Sequence, residues 1–173
     1  MQEFYYSEAI VLDREEANDF DSRYAIYAKP IGKFYTKSKS VRKITSKLVG
    51  HLEPGSLVKV RVVGNGGYQL VDALKYGKIL ISPPDLYSLN QLLPEGDFDF
   101  QIWEILTSSK SLIANSGSED FNWQTVLKIL GWDPEEAVCE VCQKKNVSRF
   151  FIRNQTFFCE ECGAGLTNYI LVI

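Results

Sequence analysis

The sequence predicts an α+β protein: a small antiparallel Greek-key barrel over residues 1–81, a helical region over 82–137 and a β-rich zinc module over 138–173. Three observations carry this. The first 80 residues hold five short strand-like runs broken by Gly and Pro turns. After Ser82, three segments repeat apolar residues at helical spacing. All four cysteines fall in the last 35 residues as C-x2-C-x16-C-x2-C. With 173 residues, 45% hydrophobic and 13% aromatic, the chain has the apolar content for a core and lies outside the composition of disordered chains.

The strands come in order. Glu8–Asp13 is a short apolar run. Arg23–Lys29 alternates, placing Tyr24, Ile26 and Ala28 on one face and Ala25 and Tyr27 on the other. Pro30-Ile31-Gly32 turns the chain into Lys33–Lys37. In Leu57–Val63, Val58, Val60 and Val62 point to the core while Lys59 and Arg61 point out. Gly64-Asn65-Gly66-Gly67 is a hairpin turn, since Asn-Gly readily adopts the positive φ of tight hairpins, and Tyr68–Leu74 returns as its partner.

Ser82 followed by Pro83 opens a helix reaching about Leu93, because the hydroxyl caps free N–H groups and proline has none to waste at the first position. Pro94-Glu95-Gly96 stops it. A second apolar stripe runs from Phe98 to about Asn115. A third helix, Glu119–Leu130, is expected behind Ser118, with Trp123, Val126, Leu127 and Leu130 on one face and Gly131 at its end. Such stripes ordinarily bury themselves in a local core.

Each Cys-x-x-Cys places two thiolates on one tight turn, and two such turns close a tetrahedral sulfur set for Zn²⁺. Cys139, Cys142, Cys159 and Cys162 are therefore the expected metal ligands, with a structural Zn²⁺ as cofactor. Four thiolates leave no open coordination position, so catalysis at the metal is not expected. Gly163, directly after the last cysteine, suits the positive φ that such a knuckle often requires. Lys144, Lys145, Arg149 and Arg153 form a small basic group between the knuckles, read as balancing the thiolates rather than extending a binding face.

Charge is segregated. Between Ser22 and Leu52 there are eight basic residues and no acidic one, in a chain of net charge −3. Residues 1–84 carry +4 and residues 85–173 carry −7, so a face for a polyanion belongs to the N-terminal half. Tyr24, Tyr27, Phe34 and Tyr35 sit among these bases, a mixture suited to single-stranded nucleic acid, where cations follow phosphates and rings stack on bases. The plainer alternative is a solvated basic loop beside half-buried strands.

An enzyme is not expected. The single histidine, His51, lies beside a turn with no recognisable nucleophile or orienting partner. No phosphate-binding loop is present, and Gly64-Asn65-Gly66-Gly67 leads into a strand rather than a helix. No apolar run approaches the roughly 18 residues needed to cross a bilayer. The N-terminus, Met-Gln-Glu-Phe-Tyr-Tyr, lacks the basic and apolar regions of a secretory signal, so a cytoplasmic protein without membrane partners is expected.

Several motifs occur in a telling order: Lys39-Ser40-Val41-Arg42-Lys43, Ser46-Lys47-Leu48, Gly50-His51-Leu52-Glu53-Pro54, then Leu57-Val58. Upstream stand Glu8-Ala9-Ile10-Val11-Leu12, Phe20-Asp21-Ser22-Arg23 and Gly32-Lys33. Residues 5–75 so arranged resemble the N-terminal domain of the RecO family of bacterial recombination mediators, and the paired Cys-x-x-Cys resembles the zinc motif of many members. The resemblance implies an N-terminal OB-fold (oligonucleotide-binding) barrel, a helical region and a zinc module. It further implies binding to single- and double-stranded DNA, strand annealing, and recombinase loading together with RecR and single-stranded DNA-binding protein. Carried to this chain, the DNA-contacting bases would be Lys33, Lys37, Lys39, Arg42, Lys43 and Lys47, with Tyr35 stacking beside them. Family members usually have more helix around and after the zinc motif, whereas 11 residues follow Cys162 here. Two alternatives stand beside this reading: a zinc-ribbon protein-interaction adaptor, and an RNA-binding protein without annealing activity.

Overall fold

The computed structural model describes residues 3–16, 22–38, 50–64, 67–108, 121–166 and 169–171. It is a mixed α+β structure with a large antiparallel sheet of five strands, short helices and a C-terminal cysteine cluster. The chain divides into two compact units, Met1–Gly117 and Ser118–Ile173. Two helices thus belong to the unit of the large sheet and a third to the unit of the cysteines, a division that cuts across the segment 82–137. No helix among the described residues is long and apolar enough to cross a membrane.

The large sheet contains β1 (Glu3–Glu16), β2 (Ser22–Ala28), β3 (Gly32–Ser38), β4 (Ser56–Gly64) and β5 (Tyr68–Lys78), in the order β3-β2-β1-β4-β5. β4 and β5 pair antiparallel as expected, while Asn65 and Gly66 of the turn between them lie outside the described residues. β1 extends well beyond the expected Glu8–Asp13 because it serves two partners. Its first half pairs with β4, from Glu3 opposite Gly64 to Ile10 opposite Leu57. Its second half pairs with β2, from Ala9 opposite Ala28 to Glu16 opposite Ser22, across an irregularity between Val11 and Asp13. Such an extra residue bends a strand and increases its twist, letting one strand face two neighbours.

One face of the sheet holds a core of Ala9, Val11, Tyr24, Ile26, Phe34, Val58, Val60, Val62 and Leu70, joined by Leu52 and Ile31. The valines of β4 fall inward on alternate positions, as their spacing predicts, because successive strand side chains point to opposite faces. The two edge strands approach each other. The Leu70 N–H of β5 donates to Thr36 Oγ1 of β3 at 2.8 Å, and the Phe34 and Tyr68 rings lie 4.9 Å apart.

The other face of β2 and β3 is buried in part, at Ala25, Tyr27 and Lys33, where α1 (Pro83–Leu92) and α2 (Phe100–Thr107) are fastened to it. Ser82 caps α1 as expected, accepting from the Asp85 N–H at 3.2 Å, and Asp99 caps α2 through the Ile102 N–H at 3.0 Å. The Tyr27 hydroxyl donates to Asp99 O at 3.0 Å and accepts from the Asp99 N–H at 2.8 Å, fastening the start of α2 to β2. Its ring stacks on Phe98 at 5.5 Å. Gly32, at φ +79, lets the chain pass against Asp97; a Cβ there would sit 2.2 Å from the Asp97 carbonyl oxygen. Of the expected helix from Phe98 to about Asn115, residues 100–107 are helical, and 109–115 lie outside the described residues.

In the second unit, α3 (Trp123–Ile129) starts later than expected. Asn122 caps it by accepting from the Thr125 N–H at 3.0 Å, and Ser118 lies outside the described residues. Gly131, at φ +94, ends it: its N–H donates to Lys128 O and the Trp132 N–H to Leu127 O, the paired bonds of a Schellman termination. A three-stranded antiparallel sheet follows, with β6 (Arg149–Phe151) between β7 (Thr156–Phe158) and β8 (Tyr169–Leu171). The one-turn α4 (Glu160–Gly163) lies between β7 and β8 in sequence. Phe150 is buried between Trp132 and Phe157, at 5.5 and 4.9 Å.

Candidate functional site

The four cysteines converge. Their sulfurs all lie within 4.8 Å of one another, and none is in a disulfide. Cys142 and Cys159, from different knuckles, bring their sulfurs to 3.7 Å. A tetrahedral ion with sulfurs at about 2.3 Å would hold them about 3.8 Å apart, whereas a disulfide needs about 2.05 Å. The spacing therefore suits a shared cation, and the donor set can hold a metal ion.

Local backbone geometry builds each knuckle. In the first, the Cys139 N–H donates to Lys144 O and the Gln143 N–H to Cys139 O, both at 2.9 Å. The positive φ that closes this turn falls on Gln143, at +59. In the second knuckle Gly163, expected to take a positive φ after Cys162, has no such φ and sits in α4. It is small for another reason: a Cβ there would meet Arg149 Cδ at 2.7 Å. In the second knuckle Cys159 caps α4, its sulfur accepting from the Cys162 N–H at 3.5 Å. β7 joins the two knuckles, since Phe157 O accepts from the Glu140 N–H at 2.9 Å.

The thiols differ in acidity. Hydrogen bonding from the Cys142 backbone to the Cys139 sulfur holds that thiol well below the usual range, although burial opposes it. Cys162 is pushed up, first by its hydrogen bonding with Cys159 and then by burial. A backbone-stabilised thiolate is what a cation requires of its ligand. Two of the nearby bases engage carboxylates: Lys144 with Glu161 at 3.4 Å, and Arg149 with Glu160. Arg149 also donates to Gly163 O at 2.8 Å, tying β6 to the second knuckle.

Among the described residues, the bases of the acid-free block do not share one exposed face. Lys33 is only 5% exposed, because the face of β3 that carries it lies under α1. Its ammonium donates to Asn90 O at 2.7 Å, and desolvation lowers its pKa. Lys33 thus fastens α1 to the sheet and is unavailable as a surface contact. Lys37 is exposed on β3 and pairs in register with Arg23 of β2. The Arg23 guanidinium covers the half-buried Tyr35 ring at 4.4 Å, and the Tyr35 hydroxyl lies 3.4 Å from Asn90 Oδ1. Lys39, Arg42, Lys43 and Lys47 lie outside the described residues. Of the remaining aromatics, Tyr24, Tyr27 and Phe34 are all buried, so none presents its ring for stacking.

Sequence reasoning missed that burial. Alternation correctly separated the two faces of β2, but nothing in β2 itself shows that helices from much later in the chain cover the second face. His51 is half-buried and its Nδ1 accepts from the Lys75 N–H at 3.2 Å, a bond that fixes the approach to β4 against β5. No protein-family model matches the chain, and no curated protein matches it in sequence.

Proposed function

We propose that this protein binds single-stranded nucleic acid through a small oligonucleotide-binding barrel and that a structural Zn²⁺ holds its C-terminal unit together. The carrying observation is the strand order β3-β2-β1-β4-β5 with its two edges drawn together through Thr36 and Leu70. An order of this kind with β3 drawn toward β5 supports a five-stranded, partly open Greek-key barrel, the architecture of oligonucleotide-binding folds. Zn²⁺ is the natural ion for four thiolates at tetrahedral spacing, and with every position filled by sulfur its role is structural.

The contact set is Lys37 with Arg23 beside it, continued by Lys39, Arg42, Lys43 and Lys47 in the adjoining segment; Lys33 is excluded by its burial. The resemblance to RecO-family mediators makes DNA the preferred polymer. It supplies the further expectations of annealing and of action with RecR-like and single-stranded DNA-binding partners. No chemical step is needed, since neutralising phosphates on one surface lowers the repulsion between two strands.

A salt-titrated binding assay with a single-stranded DNA oligonucleotide tests this. The variant combining Lys37→Glu, Lys39→Glu and Arg42→Glu should bind far more weakly. Its log–log salt slope should fall by about 0.7 for each phosphate no longer neutralised. Salt-insensitive binding, or a variant that binds like the wild type, would refute the reading. Competition with a matched RNA decides the polymer.

A second reading, a protein-interaction adaptor, draws on Val141, 66% exposed at the tip of the first knuckle, with Val138 exposed nearby. It predicts that Val141→Asp abolishes capture of a protein partner and leaves oligonucleotide affinity intact.

A further inference from the structure

The outer side of the large sheet is not uniform. Over β2 and β3 it lies beneath α1 and α2, but over the first half of β1 and its partners β4 and β5 it is open. A groove of about 430 Å³ runs there, lined by Tyr6, Glu8, Lys59, Arg61, Asp72 and Leu74. Two cross-strand rows make its floor: Tyr6–Arg61–Asp72 and Glu8–Lys59–Leu74. Tyr6 is 74% exposed and Leu74 60%, large apolar surfaces standing in water beside two cations.

The charges in this groove are unequally committed. Glu8 is engaged from outside it, by the Lys29 ammonium at 3.1 Å and by the phenol of Tyr76. Asp72 accepts from the Ala73 N–H at 2.9 Å. Lys59 and Arg61, by contrast, have no ion-pair partner among the described residues, and the Arg61 Nε is buried without a hydrogen-bond partner. Uncommitted cations flanking an exposed ring complement phosphates and bases joined on one strand.

We propose that this groove is a second seat for single-stranded nucleic acid, with a base stacked on Tyr6 and the adjoining phosphates at Lys59 and Arg61. The proposal rests on the nucleic-acid reading above and places the stacking platform away from β2 and β3, whose rings other than Tyr35 are buried. It gives a strand held at Lys37 a second point of attachment on the same sheet. Two attachments on one strand raise affinity through effective concentration, with neither seat itself altered.

Two single substitutions at exposed positions test it: Tyr6→Ala and Lys59→Gln, each with its thermal melt compared with wild type to verify folding. The measurement is fluorescence anisotropy of a labelled oligothymidylate over a salt series. Tyr6→Ala should weaken binding roughly 5- to 100-fold with the salt slope retained, the loss expected of one stacked base. Lys59→Gln should lower the slope by about 0.7, the value for one neutralised phosphate on a single strand. Ultraviolet cross-linking of a bromodeoxyuridine oligonucleotide should map to the peptide containing Tyr6. If the wild type binds and both variants match it, the groove is not a nucleic-acid seat and the Lys37 surface stands alone; a protein occupant of the groove would give this same result. If the wild type does not bind at all, the nucleic-acid reading falls and the groove assignment falls with it.

Discussion

The two units reach stability by different means. The sheet unit buries a continuous apolar core between five strands and fastens its helices to the sheet with a few polar bonds, among them Tyr27 to Asp99 and Lys33 to Asn90. The cysteine unit has three-stranded pairing only three residues long, a few tilted and edge-on ring contacts, and four thiols gathered within 4.8 Å. Small modules bury little surface against the chain entropy of folding, and a metal held by the four thiols would supply what the core lacks. One unit is held from the inside of a sheet, the other from a point.

Chelation should separate them most sharply. On the proposed zinc reading, a strong chelator or the substitution Cys139→Ser should melt the cysteine unit, because metal-binding free energy would there be folding free energy. Limited proteolysis should then cut within residues 121–171 and leave a protected fragment spanning 3–108. Equal loss of protection in both units would break the contrast.

A smaller effect belongs to the sheet unit alone. Tyr27→Phe removes a hydroxyl that satisfies both the N–H and the carbonyl of Asp99, and should cost about 1–3 kcal/mol in denaturant unfolding. The same residue gives an alkaline signature. Burial pushes the Tyr27 pKa up to about 12 from 10.0, so the folded state keeps a proton that the unfolded state releases. Its contribution is complete below pH 10 and is lost as pH rises through 12. The stability difference between wild type and Tyr27→Phe should shrink across that interval, and a constant difference would count against the assigned bond.

The smallest change sharpens the knuckle. Gln143 adopts φ +59, a conformation that costs a side chain roughly 1 kcal/mol and glycine almost nothing. Gln143→Gly should therefore raise the melting midpoint of the metal-loaded protein slightly, and a fall would show that the Gln143 side chain contributes more than its backbone strain costs.

Legibility followed the range of the interactions. The cysteine pairs, the valines of β4, the Ser82 cap and the Gly131 termination are all readable because each depends on residues a few positions apart. What depends on distant chain is not. Lys33 looks like any surface lysine until α1 lies over it, and Tyr24 and Tyr27, on opposite faces of β2, both read as candidates for stacking although both faces are buried. Gly163 belongs to the knuckle the sequence places it in, but for a different reason: the contact that requires it comes from Arg149 on another strand. The groove at Tyr6 stays hidden because the first half of β1 has no clean alternation and shows its role only beside β4.

That first strand also sets the order in which the sheet can be completed. Ile10 faces Tyr27 on one side and Leu57 on the other, whereas the residues from Glu3 to Glu8 pair with β4 alone. During synthesis the leading residues of β1 emerge first yet have no partner until the chain beyond Gly64 is free, while the hairpin of β2 with β3 can close at once. Until then the edge of β1 is an unpaired template with Tyr5 and Tyr6 along it. β1 is thus only half paired until β4 arrives, and that wait is an interval in which its free edge is open to the wrong neighbour.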